Sequence, residues 1–270
     1  MDSIRAHGLD LSRYNGRANW SAVKASGIDF VIIKAGGIYS NTGICYTDDL
    51  ANEHVAGAKS VGIPFGLYWF FLPFGVISKQ VTYYEKLLSQ FSPTIESSFI
   101  DCESSNGKAA LDTTKALKNF MPCVSDMANI ATIYTRQSWW DINVLKDPSW
   151  NGYWLWPSRW ASFLTGPWSD GKYKFRDWSN WMIWQYSGDN NAQAKTYGFP
   201  GNPPPNYTGD KYNYGDPDLD LNYFNGNKTS FYAWANLDID PEEGQEELSV
   251  ETTLKDHEVR ITELEKVVNS

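Results

Sequence analysis

The chain has 270 residues, 42% of them hydrophobic, a proportion that supports a sizeable buried core and excludes wholesale disorder. Its formal net charge is −9, but nine acids and only three bases fall in residues 241–270, so the rest of the chain is close to neutral, which argues against nucleic acid as a partner. No apolar run is long enough to cross a bilayer, and the polar segment Met1–His7 lacks the apolar core of a secretory signal, so we expect neither membrane insertion nor a signal peptide.

Apolar runs alternate with amphipathic stretches along the first 240 residues. Runs such as Ile28–Ala35 are predominantly apolar and predict buried strands, whereas Asp48–Val61 has helical periodicity and is followed by Gly62, as helices commonly are by glycine. The predicted elements, in chain order, are strand His7–Leu11, helix Trp20–Ser26, strand Ile28–Ala35, helix Asp48–Val61, strand Ile63–Phe70, helix Ser78–Gln90, strand Ser97–Cys102, helix Thr113–Asn129, strand Ile130–Thr135 and the shorter strands Tyr153–Pro157, Trp181–Tyr186 and Asp218–Phe224.

This alternation of strands and helices predicts βαβ units and a parallel sheet, that is, an α/β fold. Strands that are apolar throughout are covered on both faces. We therefore expect an irregular (β/α) TIM-like barrel, with an open doubly wound sheet as the second choice. A doubly wound nucleotide-binding fold would carry a GxGxxG loop after a strand, and no such loop follows any predicted strand.

A change of composition near Asp240 divides the chain. Residues 1–240 are predicted to form the barrel domain, residues 241–249 an acidic linker, and residues 250–270 a short helical tail. The apolar residues of the tail fit heptad positions, so we expect a coiled-coil-like helix that associates with another copy or another surface, and a frayed tail is the alternative. Within the barrel domain, Thr165–Asp177 and Gly201–Asp218 are predicted to be long surface loops.

Aromatic residues are unusually dense in the barrel domain. All 42 aromatic residues precede position 241, and ten of the 13 tryptophans lie between Trp139 and Trp184. Many of them must be core residues, because aromatic side chains bury large areas. Flat rings also stack on the C–H faces of sugars, so the excess indicates a carbohydrate-binding groove.

Metal and thiol chemistry are not indicated. The three cysteines are odd in number and include no CxxC pair, which argues against a disulfide framework and a zinc site. The three histidines are too few and too scattered for a metal site or a Ser-His-Asp triad. We therefore expect no metal and no cofactor.

Two carboxylates, Asp101 and Glu103, lie two residues apart at the end of a predicted strand. Residues so spaced point to one face of a strand, while Cys102 between them points away into packing. Active sites of (β/α) barrels lie at the C-terminal ends of the strands. Neighbouring carboxyl groups are expected to differ in pKa, and glycosidic cleavage needs one acid and one anion. A solvated strand end is the alternative interpretation.

Two further acids strengthen this hypothesis. Asp10 ends the first apolar segment, and Asp220 lies in the last strand-like segment. The first and last strands of a barrel are neighbours, so both acids are expected to meet the pair formed by Asp101 and Glu103.

These segments resemble glycoside hydrolase family 25, the muramidase family common among bacteriophage endolysins. The resemblance extends from about Gly8 to Phe224 and consists of the motifs GLDLSRYNG, FVIIKAG, GIPFGLYWF, FIDCE, ATIYT, LW, WQYSG and DLNYFNG, in that order. Each motif is modest alone, and the series is specific. The resemblance implies an irregular barrel and a lysozyme that cleaves the β-1,4 bond between N-acetylmuramic acid and N-acetylglucosamine in bacterial peptidoglycan, with retained stereochemistry.

The resemblance also assigns roles to residues. Glu103 is implied as the general acid/base, Asp101 as its partner, and Asp10 and Asp220 as supporting acids. The residues implied to line the groove are Tyr68, Trp69, Tyr134, Trp156, Trp184 and Gln185. The family often has histidine where this chain has Trp69, a difference expected to alter a sugar contact rather than the chemistry.

Two other functions remain open on the sequence. A chitinase-like hydrolase would also use an acidic strand end, but the DxxDxDxE motif expected there is absent, since Phe99 occupies one of its aspartate positions. A lectin-like barrel would bind glycans through its aromatics, but it would not need Glu103. A phage lysin without a signal peptide is expected to be made in the host cytoplasm and to reach the cell wall after release, with the tail as a route to a homo-oligomer.

Overall fold

The computed structural model describes residues 5–128, 130–160, 166–167, 175–189 and 191–238. Within these residues the chain forms nine strands and six α-helices. In chain order they are β1 (Arg5–Leu11), α1 (Trp20–Ala25), β2 (Phe30–Ile38), β3 (Cys45–Thr47), α2 (Ala51–Val61), β4 (Phe65–Phe70), α3 (Ile77–Phe91), β5 (Ser97–Asp101), α4 (Ala110–Ser125), β6 (Ile130–Thr135), α5 (Gln137–Asn143), β7 (Trp154–Pro157), β8 (Ile183–Ser187), β9 (Asp220–Asn227) and α6 (Lys228–Trp234).

Eight of the strands form a nearly closed barrel. Their order is β7-β6-β5-β4-β2-β1-β9-β8, and β3 pairs with β2 outside this path. A single bridge, between Ser158 and Gln185, joins the two ends of the sheet. The α/β barrel prediction is therefore confirmed in its main features, and the open doubly wound sheet is wrong.

The barrel is parallel from β1 through β2 and β4 to β7, but β9 is antiparallel to both of its neighbours, β1 and β8. The chain between β8 and β9 stays at one end of the barrel, so β9 returns without a crossover helix. As predicted, the first and last strands are adjacent, and Asp10 faces Asp220 across the β1–β9 pair.

Alternate residues of the strands belong to two separate cores, one between the barrel and the helices and one inside the barrel. Val31, Ile33 and Ala35 of β2 pack outward against the helices, whereas Phe30 and Ile32 pack into the barrel. Glycines make room for the inner rings, since a Cβ on Gly8 would lie 2.4 Å from the Phe30 ring. The lower barrel is therefore filled by rings, and polar side chains remain at its C-terminal end.

The helix ends follow local signals in part. Gly62 follows α2 in a left-handed conformation with φ 66°, as the sequence predicts. The short elements β3, α5 and α6 were not predicted. The segment Gly201–Asp218 is a surface loop, apart from one 3-10 turn at Lys211–Asn213, as expected.

Other predictions fall partly or wholly beyond the described ranges. Most of the predicted loop 165–177, the linker 241–249 and the helical tail 250–270 lie outside the described residues. In the part of the chain that is described, no helix combines the length and apolar character needed to cross a membrane.

Candidate active site

A pocket of about 200 Å³ opens at the C-terminal ends of the barrel strands. All four acids predicted from the sequence line it, together with four of the six predicted groove residues. The lining residues are Asp10, Ser12, Tyr14, Lys34, Tyr68, Asp101, Glu103, Tyr134, Trp156, Gln185 and Asp220.

The four acids come from three strand ends. Asp101 is the last residue of β5, and Glu103 follows two residues later. Asp10 lies near the end of β1, directly opposite Asp220 at the start of the antiparallel β9. Asp10 and Asp101 are 8% and 7% exposed, whereas Glu103 and Asp220 are half-buried and nearer the opening. Cys102 is fully buried in the outer core, as the strand alternation predicts.

Burial raises the pKa of every one of these carboxyl groups. The pKa of Asp10 is raised to about 6, because burial outweighs two hydrogen bonds to its carboxylate. Burial and then repulsion by Glu103 raise the pKa of Asp101 well above its ordinary value. Burial, then Asp10 and the exposed Asp189, do the same for the pKa of Asp220. The pocket carboxyl groups therefore keep their protons to a higher pH than isolated carboxyl groups do.

The pKa of Glu103 is subject to opposing effects. Burial raises its pKa, but Arg136 and Lys34 oppose that effect, and Asp189 adds to it. Lys34 lies within 4.6 Å of the Phe70 ring centre and 5.5 Å of the Tyr68 ring centre, so its ammonium group is held over two aromatic faces at the pocket wall. Two cations thus face an acidic cluster, which reduces the repulsion between its carboxylates.

Hydrogen bonds orient Asp10 and its neighbours. The side-chain amides of Asn222 and Gln185 donate to Oδ2 of Asp10, at 2.8 and 3.0 Å. The indole N–H of Trp156 donates to Oδ1 of Asn222, at 2.7 Å. Asp101 differs, because its buried Oδ1 has no hydrogen-bond partner among the described residues. The Asp10 carboxylate is thus held by two donors, whereas one buried oxygen of Asp101 has no partner within the described residues.

Trp69 and Trp184 do not line the pocket, and their assignment to the groove needs correction. Both are fully buried in the outer core. The indole N–H of Trp69 donates to Gln80 of α3, and that of Trp184 donates to the Arg159 carbonyl. The reason is strand alternation, since the neighbouring Tyr68 and Gln185 point inward.

Several residues in or beside the pocket were missed by sequence reasoning. Ser12 and Asn222 lie two residues from Asp10 and Asp220, so the alternation used for Asp101 and Glu103 would have found them. Lys34 could have been found by another sequence signal, because it is the one charged residue in the apolar strand β2. Trp160 had no sequence signal, because its place depends on a hydrogen bond to Gln185 across the barrel seam.

Aromatic residues continue from the pocket onto the surface. Tyr14 is 61% exposed on one side of the opening, and Tyr39 stacks on Tyr46 with ring centres 4.5 Å apart. Trp160 is 46% exposed and lies over Gly188, beside Asp220. Flat rings on both sides of an acidic pocket suit an extended sugar chain. Within the described residues, no group of three or more His, Cys, Asp or Glu is arranged to hold a metal ion.

The chain is similar to known lysozymes. The sequence profile described as "Glycosyl hydrolases family 25" matches residues 9–194. Lysozyme M1 of Streptomyces globisporus is 26% identical over 251 residues, which cover 87% of this chain and 73% of that protein. The fold is similar to the bacterial lysozyme from Streptomyces coelicolor, with 24% identity, a TM-score of 0.61 and coverage of 87% and 99%. It is also similar to the catalytic domain of endolysin ply40 from bacteriophage P40 of Listeria monocytogenes, with 17% identity, a TM-score of 0.54 and coverage of 87% and 100%.

Proposed function

Since the chain belongs to glycosyl hydrolase family 25, we propose that it is a lysozyme that hydrolyses bacterial peptidoglycan at the β-1,4 bond between N-acetylmuramic acid and N-acetylglucosamine, with retained configuration. The observation that carries the proposal is the pocket itself, where four acids from β1, β5 and β9 meet beneath aromatic walls. Cleavage of a glycosidic bond requires a proton for the leaving oxygen and negative charge near the anomeric carbon, and this cluster supplies both.

Glu103 is proposed as the general acid/base. It is nearer the opening than Asp10 and Asp101, and burial raises its pKa, which keeps it protonated to a higher pH. A proton on Glu103 can pass to the leaving oxygen, and the resulting carboxylate can then activate water for the second step.

Asp101 is proposed to act on the acetamido group of the substrate. An aspartate two residues from the acid lies on the same side of the strand end, which is a poor place for a nucleophile that must attack from the opposite face. Its Oδ1 has no hydrogen-bond partner among the described residues, which supports a role in accepting the acetamido N–H and stabilising the positive charge that develops there. The acetamido oxygen would attack the anomeric carbon, and Asp220 is the alternative nucleophile.

Mass spectrometry of fragments released from purified peptidoglycan tests the bond specificity. We expect fragments with muramic acid at the reducing end, whereas glucosamine at that end would identify a glucosaminidase. Clearing of wall suspensions without cleavage of chitin is expected too. Cleavage of chitin would favour a chitinase-like enzyme, and binding without any cleavage would favour a lectin-like barrel.

De-N-acetylated glycan tests the role of Asp101. If the acetamido oxygen is the nucleophile, removal of the muramic N-acetyl group should stop cleavage even where binding persists. Efficient cleavage of this substrate, or a trapped glycosyl ester on Asp220, would contradict the assignment of Asp101.

The tail formed by residues 250–270 is proposed to associate with a second copy, which would strengthen wall engagement by multivalency. Its heptad spacing supports the proposal. A chain ending at Asp240 should then cleave soluble fragments and scatter light as a monomer, while the full chain has a larger mass. Equal masses would contradict self-association. Synthesis in a host cytoplasm, with action on the wall after release, is likewise a proposal.

A further inference from the structure

One oxygen of Asp10 receives two buried amide donors. The N–H groups of Asn222 and Gln185 reach Oδ2 from β9 and β8, at 2.8 and 3.0 Å. Both amides are fully or almost fully buried, and so is Asp10. A carboxylate oxygen that accepts two hydrogen bonds has no room for a proton of its own.

Tryptophan fixes the orientation of both amides. An indole N–H can only donate, so the Asn222 atom that meets Trp156 must be the amide oxygen, and its NH₂ group must face Asp10. Gln185 is fixed in the same way, because its Oε1 accepts from Trp160 at 3.2 Å. The hydroxyl groups of Tyr134 and Ser158 donate to the same oxygen, each at 2.9 Å. Neither amide can flip without leaving an indole N–H facing an NH₂ group.

We propose that Asn222 and Gln185 are positioning residues that hold Oδ2 of Asp10 as an obligate acceptor, so that Asp10 binds protons and meets the substrate only through Oδ1. The inference rests on the proposed glycosidase function, in which Asp10 supplies negative charge to the positively charged transition state. Under this assignment hydrolysis requires Asp10 as an anion of fixed orientation.

The barrel seam contributes to the same arrangement. Gln185 forms the single bridge with Ser158 that joins β7 to β8, and its carbonyl accepts the N–H of Arg159 at 3.0 Å. Backbone pairing therefore fixes the position from which the Gln185 side chain reaches Asp10. Gln185 therefore takes part both in closure of the barrel and in orientation of the Asp10 carboxylate.

The groups around Asp10 determine its pKa and how that pKa changes when an amide donor is removed. Burial raises the pKa of Asp10, and the Asn222 and Gln185 hydrogen bonds lower it. The titratable and charged groups that face it are Lys34 from β2, Tyr68 from β4, Asp101 and Glu103 from the end of β5, Tyr134 from β6 and Asp220 from β9. The amide donors bind the charged carboxylate more strongly than the neutral acid, so loss of one donor should raise the pKa of Asp10.

The test compares Asn222→Leu with a matched control, Gln80→Leu. Gln80 is also a fully buried amide whose oxygen accepts an indole N–H, from Trp69 at 3.1 Å, but its NH₂ group donates to the carbonyl groups of Leu72 and Phe74 on the outside of the barrel. Both variants lose comparable buried hydrogen bonds, so both should lower the melting temperature. Only Asn222→Leu should change the ionisation of Asp10.

Two readouts separate this inference from the proposed function. The first is the titration midpoint of the Asp10 carboxyl ¹³C resonance without substrate, assigned with Asp10→Asn. The second is the acidic limb of the rate of peptidoglycan hydrolysis against pH. Asn222→Leu should move both upward by about 1–2 pH units, the equivalent of one hydrogen bond to a charged group, while Gln80→Leu moves neither.

An unchanged midpoint in Asn222→Leu, or an equal shift in Gln80→Leu, would overturn the inference. If Asn222→Leu does not fold, Trp156→Phe removes the N–H that orients Asn222 while keeping an aromatic ring and Asn222 itself, and it should shift the midpoint in the same direction. The absence of a shift there would overturn the inference as well. A shifted midpoint in a protein whose parent does not hydrolyse peptidoglycan would support the inference and reject the proposed function.

Discussion

Replacement of Glu103 by glutamine should nearly abolish hydrolysis of peptidoglycan and leave the fold intact. Glutamine has the size and shape of glutamate, but it has no proton to deliver. Within the described residues the Glu103 carboxylate makes no hydrogen bond or ion pair, so the substitution breaks no contact of the folded protein. It also removes a negative charge beside Asp101, whose pKa Glu103 helps to raise, so the unfolding free energy should not fall.

The expected loss of rate follows from the role of the proton. Positioned general acid catalysis contributes a factor of about 10²–10⁴, which corresponds to about 3–5 kcal/mol of activation free energy. The pocket is small and Glu103 is half-buried in it, so bulk water is a poor substitute as a proton donor. We therefore expect the loss to be nearer the upper end of this range.

The assay measures reducing ends released from purified peptidoglycan, beside a thermal unfolding curve for each variant. Asp189→Asn is the matched control, because it removes one negative charge near Glu103 from an exposed residue that does not line the pocket. That control should keep its activity. Because Asp189 raises the pKa of Glu103, its loss should lower that pKa and move the basic limb of the pH profile to slightly lower pH. Near-normal hydrolysis by Glu103→Gln would refute the assignment and transfer the acid role to another pocket carboxylate, first to Asp220.

Three further predictions follow from the contacts of single residues. Because the pKa of Asp10 is raised to about 6 in the folded protein, the folded state holds this proton more tightly than the unfolded chain does. The free energy of unfolding should therefore fall by up to about 3 kcal/mol as the pH rises from about 4 to 7. Asp10→Asn should flatten this pH dependence when it is measured by chemical denaturation. Gly188→Ala places a Cβ 2.5 Å from the Trp160 ring, so the ring must move and the hydrolysis rate should fall about tenfold or more, with a change in tryptophan fluorescence. Trp69→Phe removes the N–H bonded to Gln80, so it should lower the unfolding free energy by about 1–3 kcal/mol without changing KM for wall fragments.

Strand periodicity located the acids of the site from the sequence. Asp10 and Asp101 were assigned to strand ends because each closes an apolar segment, and parallel barrels gather such ends at one face. Asp220 was assigned to the last strand-like segment. The adjacency of Asp10 and Asp220 followed from closure of a barrel, which brings the first and last strands together. These inferences depend on local pattern and on one topological rule, so they needed no side-chain geometry.

The tryptophans show where that reasoning was not applied. Trp69 and Trp184 were assigned to the groove from the family resemblance, although each adjoins a residue that was also assigned to it. Successive residues of a strand face opposite ways, so Tyr68 and Trp69 cannot both line the same pocket. Alternation alone would have placed both tryptophans in the outer core.

Other features were beyond reach of the sequence for a physical reason. β3 has three residues and α5 and α6 have seven each, so packing rather than propensity holds them. The antiparallel direction of β9 depends on a long connection that stays at one end of the barrel. The contacts of Asn222 and Trp160 depend on the register between strands distant in sequence, and register is set by the assembled sheet.

The division of the barrel into two levels explains how so many buried acids are tolerated. The lower interior is packed with rings, among them Phe30, Phe99 and Phe231, and holds the strands in fixed positions. The upper interior is acidic, and burial of its carboxyl groups costs stability because each has a raised pKa. A site of this kind persists only where the surrounding packing leaves the side chains no alternative arrangement. The same rigidity leaves one oxygen of Asp101 without a partner while one oxygen of Asp10 keeps both of its donors. In a more mobile pocket the two buried aspartates would exchange hydrogen bonds, and this difference between them would be lost.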